Sequence, residues 1–286
     1  MNIHPETRMG PVHYTVANLA RQIAFYTDIL GFKLRWQEGD EASLGTDERE
    51  LLRLTAVPGA KRHPRTTGLY HTAFLVPTRW DLAHLMRRLL ETGVPLHGTS
   101  NHGTHLAIYL PDPEGNGIEL AWDFPREVWP MKNGRMDFGA MPRQGIDLAE
   151  LFTELERDGM PWTGLPADTV VGHVHLHVAD LQPSRAFYHE ILGFDVTLDG
   201  EGMGALFVSA GGYHHHIGMN VWKGVGLPPA PPDAVGLRYY TVLLPNRAEL
   251  ERVGSLLKQA DVELTERDDG ILVRDPSQIG ILFRVM

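Results

Sequence analysis

Cysteine is absent from this chain of 286 residues. Disulfides, thiolate zinc sites and iron–sulfur clusters are therefore excluded. Positive charge is in short supply: 26 Lys and Arg stand against 36 Asp and Glu, a formal net charge of −10. No basic cluster or stripe runs along the sequence. That argues against nucleic acid, whose binding rests on neutralised phosphates, and against a polybasic membrane contact. No apolar run approaches the roughly 20 residues that span a bilayer. The opening MNIHPETRMG lacks the basic and apolar regions of a signal peptide, so a cytoplasmic location is the expectation. What is present is ordinary for a soluble globular protein, 43% hydrophobic and 22% charged, with enough length for two cored domains. Histidine is plentiful, at 15 residues. Any metal site must be built from His, Asp, Glu, Tyr or backbone oxygens.

The chain repeats itself. AFYTDILGFKL (24–34) and AFYHEILGFDV (186–196) share seven of eleven positions, and VANLARQ (16–22) pairs with VADLQPS (178–184) at the same offset. Each repeat opens with a strand-like run, PVHYTV or HVHLHV. Asn18 or Asp180 then stands where a helix N-cap belongs, and Gly31 or Gly193 where the helix ends. A second pair is GLYHTAFLVP (68–77) with GLRYYTVLLP (236–245). Helix patterns follow at 81–93 and 249–261, and the segments close with LPDPEGNGIEL (110–120) or VRDPSQIGILF (273–283). Four β-α-β-β-β units result, near 11–57, 68–123, 171–222 and 236–285. An N-terminal domain (1–123) and a C-terminal domain (169–286) flank a connecting segment (124–168), with one short helix expected near 147–159.

The paired AFYxxxLGF elements, the YHTAF strand and the DPEGNGIEL ending resemble the vicinal oxygen chelate superfamily, which holds glyoxalases, extradiol dioxygenases and bleomycin resistance proteins. Within it, the GLYH, GHVHLHV and GGYHHHIGMN segments resemble two-domain catechol 2,3-dioxygenase-like proteins of the Bacillus type. The resemblance covers nearly the whole chain. It implies an α+β fold in which pairs of βαβββ units form two cupped mixed β-sheets, with metal ligands on the first and last strands of the units. Residue by residue, the first-strand position is His173 in unit three, Pro11 in unit one, His71 in unit two and Tyr239 in unit four. The last-strand carboxylate is Glu119 in unit two and Leu282 in unit four. Units two and three keep the ligand chemistry; units one and four have lost it. If unit two pairs with three and one with four, a single cup receives His71, Glu119 and His173. Whether this happens within one chain or across a homodimer stays open.

Two His and one carboxylate with open positions opposite suit non-haem Fe(II), and also Mn(II); Zn(II) or Ni(II) would go with glyoxalase-type chemistry. A lone strand His is most often just a satisfied polar group, and Glu119 alone could be a surface carboxylate. The apolar IELAW setting weakens that reading, because an unpaired buried carboxylate is costly. His173, His175 and His177 alternate and so share a strand face, but a rise of about 3.3 Å per residue keeps them from one ion. His175 is then expected to line the pocket.

In GGYHHHIGMN (211–220), strand alternation sends His215 one way and His214 and His216 the other. The resemblance makes His215 the acid–base residue; a slip of register would instead make His216 a fourth ligand. It also places Tyr109, ten residues before Glu119, beside the substrate, and a His several residues ahead of that Tyr; Ser100 stands at that offset, with His102 and His105 nearby, and His102 is the candidate helper. Met219, Trp222 and Trp122 are candidates for an apolar wall. The expected activity is extradiol cleavage of a small catechol- or hydroquinone-type aromatic by O2. The alternatives are a metal-dependent isomerase, lyase or thiol transferase of the glyoxalase kind, and a resistance-type protein that only sequesters a small molecule.

Overall fold

The computed structural model describes residues 2–137, 139–142, 144–156 and 161–286. The repeat dictates the architecture. Each unit contributes four strands, and two eight-stranded mixed sheets result. One sheet joins units two and three, and the other joins units one and four. The nested pairing is made within a single chain, so each sheet draws one unit from residues 1–123 and one from 169–286.

In both sheets the two units meet along their first strands, which run antiparallel. Gly68–Leu75 lies against Val170–His177 in the inner pair, and Arg8–Val16 against Gly236–Leu244 in the outer pair. The registers correspond: His71 stands opposite His175, and Tyr239 opposite His13. Each pair also carries an irregularity at the same place, between Val171 and His173 and between Met9 and Val12. Related sequence elements have thus produced corresponding pairing.

Local signals explain the helices. Thr78 and Asp81 form a reciprocal capping box before Arg79–Thr92, and Gly93 ends that helix at φ +66°. Asn246 caps Arg247–Gln259. Both helices start two residues earlier than their apolar periodicity predicts, because the caps precede the first apolar position. Asn18 and Asp180 cap the short helices Leu19–Ala24 and Leu181–Arg185. These do not run on as α-helix. Each loosens into a π-helical turn through AFY, with Leu30 N–H donating to Phe25 O and Leu192 N–H to Phe187 O. The turns end at Gly31 and Gly193, both with positive φ.

The connecting segment is more structured than a linker. It carries a two-stranded ribbon, Met131–Lys132 with Arg135–Met136, and a helix at Leu148–Phe152 that tightens through Thr153–Glu156. Residues 157–159 of the expected helix lie outside the described residues. Between the sheets, Phe32 packs edge-on against Phe74 at 5.0 Å. The buried Tyr14 hydroxyl donates to Thr72 Oγ1 at 2.6 Å, tying the outer sheet to the strand that carries His71. No helix among the described residues is long and apolar enough to cross a membrane.

Candidate active site

Four neighbouring strands of the inner sheet set side by side His173, Ala73, Glu119 and Tyr109, each directly opposite the next in the ladder. Strands about 4.8 Å apart bring residues of one row within side-chain reach. Ala73, fully buried, is small enough to leave the space between His173 and Glu119 open. His71 enters from two residues along the same strand as Ala73, on the same face.

The three side chains converge. Nε2 of His71 lies 3.0 Å from Oε2 of Glu119 and 3.3 Å from Nε2 of His173, which is 3.2 Å from the same oxygen. Bonds of about 2.0–2.2 Å to a single ion place adjacent donors roughly 3 Å apart. The trio therefore fits a metal on geometry and on donor type. Glu119 Oε1 is buried without a hydrogen bond, although His105 Nε2 approaches it to 2.9 Å. Burial alone would push the Glu119 carboxyl up, but the imidazoles of His173 and His71 outweigh it and hold it well below the usual carboxylate range. Burial also lowers His173, and lowers His175 and His215 further. The His175 and His215 rings are neutral at pH 7, and each keeps a lone pair to offer.

A cavity of about 280 Å³ opens over the trio, a size suited to a compact aromatic. Tyr109 and His102 line it, joined by a 2.8 Å hydrogen bond between the Tyr hydroxyl and His102 Nε2. Burial pulls the His102 imidazole down to about 3 and pushes the Tyr109 phenol well above its usual range. The Tyr hydroxyl therefore keeps its proton and donates to neutral His102. His175 and Trp222 line the cavity too. The His175 ring is held by Asn220 Nδ2 at 3.0 Å, and it fits because Gly218 stands opposite: a Cβ there would come within 3.1 Å of the ring.

The histidine triplet departs from strict alternation, because the strand begins only at Ile217. His215 faces the cavity, stacked on Phe207 at 4.5 Å and 4.1 Å from the His173 ring. His214 lies beside it rather than opposite, with the two Nδ1 atoms 2.8 Å apart. His216 is not brought to the trio. Its Nδ1 accepts from the Ala210 N–H at 3.1 Å and meets Ser209 Oγ at 3.0 Å, and its ring borders a different cavity with Tyr213 and Pro11. Met219 and Trp122 also stand away from the cavity, and parity is the reason. Gly218 and Glu119 face the site, so Met219 and Trp122 face the reverse side; Met219 is fully buried in the core, and Trp122 packs on Phe124 at 5.1 Å.

The same parity brings in residues that sequence reasoning passed over. Asp123 is four residues from Glu119 on one strand, and His105 four from Tyr109 on another. Asp123 Oδ1 lies 3.2 Å from His214 Nε2, and the His105 ring stacks on His214 at 4.8 Å. Tyr70 reaches the cavity from the irregularity in its strand's ladder between Leu69 and His71, and Met136 and Met141 reach it from the connecting segment.

The family model described as the Glyoxalase/Bleomycin resistance protein/Dioxygenase superfamily matches residues 8–120 and 170–281. A catechol-2,3-dioxygenase of Bacillus subtilis (strain 168) is 42% identical over 278 residues, covering 96% of both chains. A biphenyl-2,3-diol 1,2-dioxygenase of Rhodococcus globerulus is 35% identical over 103 residues, 35% of this chain and 54% of that one. Among solved structures, glyoxalase I from Zea mays superposes with a TM-score of 0.59 at 16% identity, over 98% of this chain and 92% of its own. That likeness concerns the fold.

Proposed function

We propose, from the premise that this chain belongs to the glyoxalase/bleomycin resistance/dioxygenase superfamily, that it is a metal-dependent extradiol dioxygenase acting on a small catechol- or hydroquinone-type aromatic. The observation that carries the reading is the convergence of His71, Glu119 and His173 beneath a cavity that also presents Tyr109, His102 and His215. The near full-length similarity to a catechol-2,3-dioxygenase supports it.

His71, Glu119 and His173 would hold the metal, with Fe(II) the best match to two imidazoles and a carboxylate and Mn(II) the next. Such an ion would supply Lewis acidity toward the diol oxygens and one-electron chemistry toward O2. The remaining roles belong to the chain. The Asp123 carboxylate, held below its usual range chiefly by its bond to His214 against the effect of burial, accepts from His214 Nε2–H. His214 is itself neutral, lowered by burial to about 4. Its Nδ1 must then accept, so the short contact to His215 requires a proton on His215 Nδ1. The chain of bonds leaves His215 Nε2 with a free lone pair: a base able to take a proton from a substrate hydroxyl. Once protonated, His215 shares its charge through His214 with Asp123. Tyr109, fixed by donating its O–H to His102, presents its oxygen lone pairs as an acceptor for a substrate hydroxyl. Trp222, Phe207 and Tyr70 offer ring contacts to the aromatic, and Met136 and Met141 complete an apolar wall.

O2 uptake by the anaerobically iron-loaded protein tests the proposal, against a panel of substituted catechols and hydroquinones. Consumption of one O2 per substrate, with a product heavier by two oxygen atoms, is the expected result. No uptake with any member of the panel overturns it. Nickel or zinc in the purified protein would redirect the reading to glyoxalase-type isomerisation. That chemistry needs a fourth protein ligand, and His216 is held away from the trio.

A further inference from the structure

The chain is acidic overall, yet one cleft is not. In the outer sheet's cup, Arg53, Arg62, Lys223, Arg238, Arg267 and Arg274 line a cavity of about 440 Å³. Six of the 26 basic residues meet there, against one acidic lining residue, Glu41. These cations come from distant parts of the chain: Arg53 from unit one, Arg62 from the link between units one and two, Lys223 from the link after unit three, and three from unit four. The sequence shows no basic run because the cluster exists only in three dimensions.

Three of the six are already engaged. Arg53 is paired with Glu50 at 3.0 Å, Arg267 with Asp269 at 3.0 Å, and Arg274 donates to Gln278 O at 2.7 Å. Arg62, Lys223 and Arg238 have no carboxylate partner among the described residues. Like charges gathered in one cleft repel, and the field is felt by neighbouring groups. Burial, then Arg238, Arg53 and Arg267, lower the His13 imidazole to about 3, and burial with Arg62 lowers Lys223. His13 also has an Nδ1 that is buried without a partner. Such an arrangement costs stability unless a counter-charge relieves it.

The cleft is also preformed. Its wall is the proline-rich segment 228–235, clamped at both ends: Thr67 N–H donates to Pro228 O at 3.0 Å, and Val235 N–H to Lys61 O at 3.0 Å. Gly115, at φ +86°, leaves the room that Arg62 fills; a Cβ there would stand 2.1 Å from the guanidinium. Pro231, Pro232, Leu237 and Ile279 add apolar lining. A site with apolar walls and several guanidinium forks favours an organic molecule with more than one anionic group over a simple inorganic ion.

We propose that this cleft binds a small organic polyanion bearing two or more phosphate or carboxylate groups. It is a different site from the cavity over His71, Glu119 and His173. Leu69 and Lys223 line the cleft, while their neighbours Tyr70 and Trp222 line the other cavity, so the two sites share a wall. The proposal stands whether or not the dioxygenase reading does.

Calorimetric titration at constant ionic strength tests it, with fructose 1,6-bisphosphate and benzene-1,3,5-tricarboxylate as probes. The wild-type protein, the double variant Arg62→Gln/Arg238→Gln and the single variant Lys223→Gln are compared. All three positions are exposed, so the substitutions open no core, and a melting curve for each variant confirms the fold. Saturable binding to the wild type, at least tenfold weaker in the double variant and weaker in the single one, is expected. Binding of the bisphosphate alone assigns the cleft to phosphates, binding of the tricarboxylate alone to carboxylates, and binding of both to charge without further discrimination. No binding of either probe, or binding unchanged in both variants, overturns the proposal.

Discussion

The two sheets use the same unit, pair their first strands in the same register and bend at the same irregularity. Their centres nevertheless differ completely. Where the inner sheet has His71, Glu119 and Tyr109, the outer one has Tyr239, Leu282 and Leu272, and Pro11 stands in the place of His173. The outer sheet forms without any of the donor groups, so the ladder and the apolar core suffice for folding. The buried His–Glu–His set is not there for stability, since clustered buried polar groups bring a desolvation cost that well-packed apolar residues avoid. The outer cup has turned to the opposite electrostatic character, lined with guanidinium groups where the inner one offers lone pairs.

The contrast can be broken most severely by giving the inner sheet the outer sheet's residue. Glu119→Leu should abolish metal retention and lower ring cleavage by more than about 10³-fold, while the melting temperature of the metal-free protein holds or rises. Metal analysis beside calorimetry reads both, and a sharp fall in metal-free stability would show that the carboxylate serves the fold. The reciprocal change, Leu282→Glu, sets a carboxylate in a cavity lined by Arg53 and Arg284 instead of by two ligand imidazoles. It should add no metal, and its cost in urea unfolding should stay below the about 3–5 kcal/mol of an unpaired buried charge.

The inner site was largely legible, because its ligands fall on strands whose repeats fix the register. His71, Glu119, His173, Tyr109, His102, His215, His175 and Trp222 all meet around one cavity. The failures have distinct physical causes. Met219 and Trp122 were misplaced by strand parity, which the sequence itself carries and which would also have found Asp123 and His105. His214 and His216 precede their strand, so alternation does not govern them. Met136 and Met141 reach the cavity from the connecting segment, and the cleft gathers Arg53, Arg238, Arg267 and Arg274 from four strands with Arg62 and Lys223 from two links, a long-range convergence that no local pattern carries.

The aspartates of the two DP turns provide a subtler comparison. Asp112 Oδ1 accepts from the N–H of Glu114 and Asn116, and Asp275 Oδ1 from those of Ser277 and Ile279. Burial outweighs these bonds in both and raises both carboxyls, Asp275 to about 6. A raised carboxyl is held more tightly by protons in the folded state. Its contribution to stability is therefore fully present below about pH 4 and is lost as pH rises through 6. Asp275→Asn should flatten that decline by about 2–3 kcal/mol between pH 4 and 7, read from urea midpoints across the range. Asp112→Asn should act in the same direction. An unchanged pH profile in the Asp275 variant would mean that its carboxyl is already ionised at pH 4.

The smallest expected effect concerns the tie between the sheets. Tyr14→Phe removes the bond to Thr72 and should cost about 1–2 kcal/mol. Metal content should stay intact, because Thr72 and His71 point to opposite faces. A loss of metal in this variant would mean that the outer sheet helps aim His71.

The nested order of the units also sets when each sheet can exist. The inner pair is complete within residues 68–220, so its ladder can close before unit four, at 236–285, is made. The outer pair joins Arg8 to Leu243 and Val12 to Tyr240, partners separated by nearly the whole chain. Unit one must wait, with one edge of its first strand paired to Glu50–Ala56 and the other edge open, until unit four emerges. Contacts of such sequence separation form slowly, so a ribosome-stalled chain lacking unit four would hold a finished inner sheet and a stranded first unit, the species that a chaperone would have to shield.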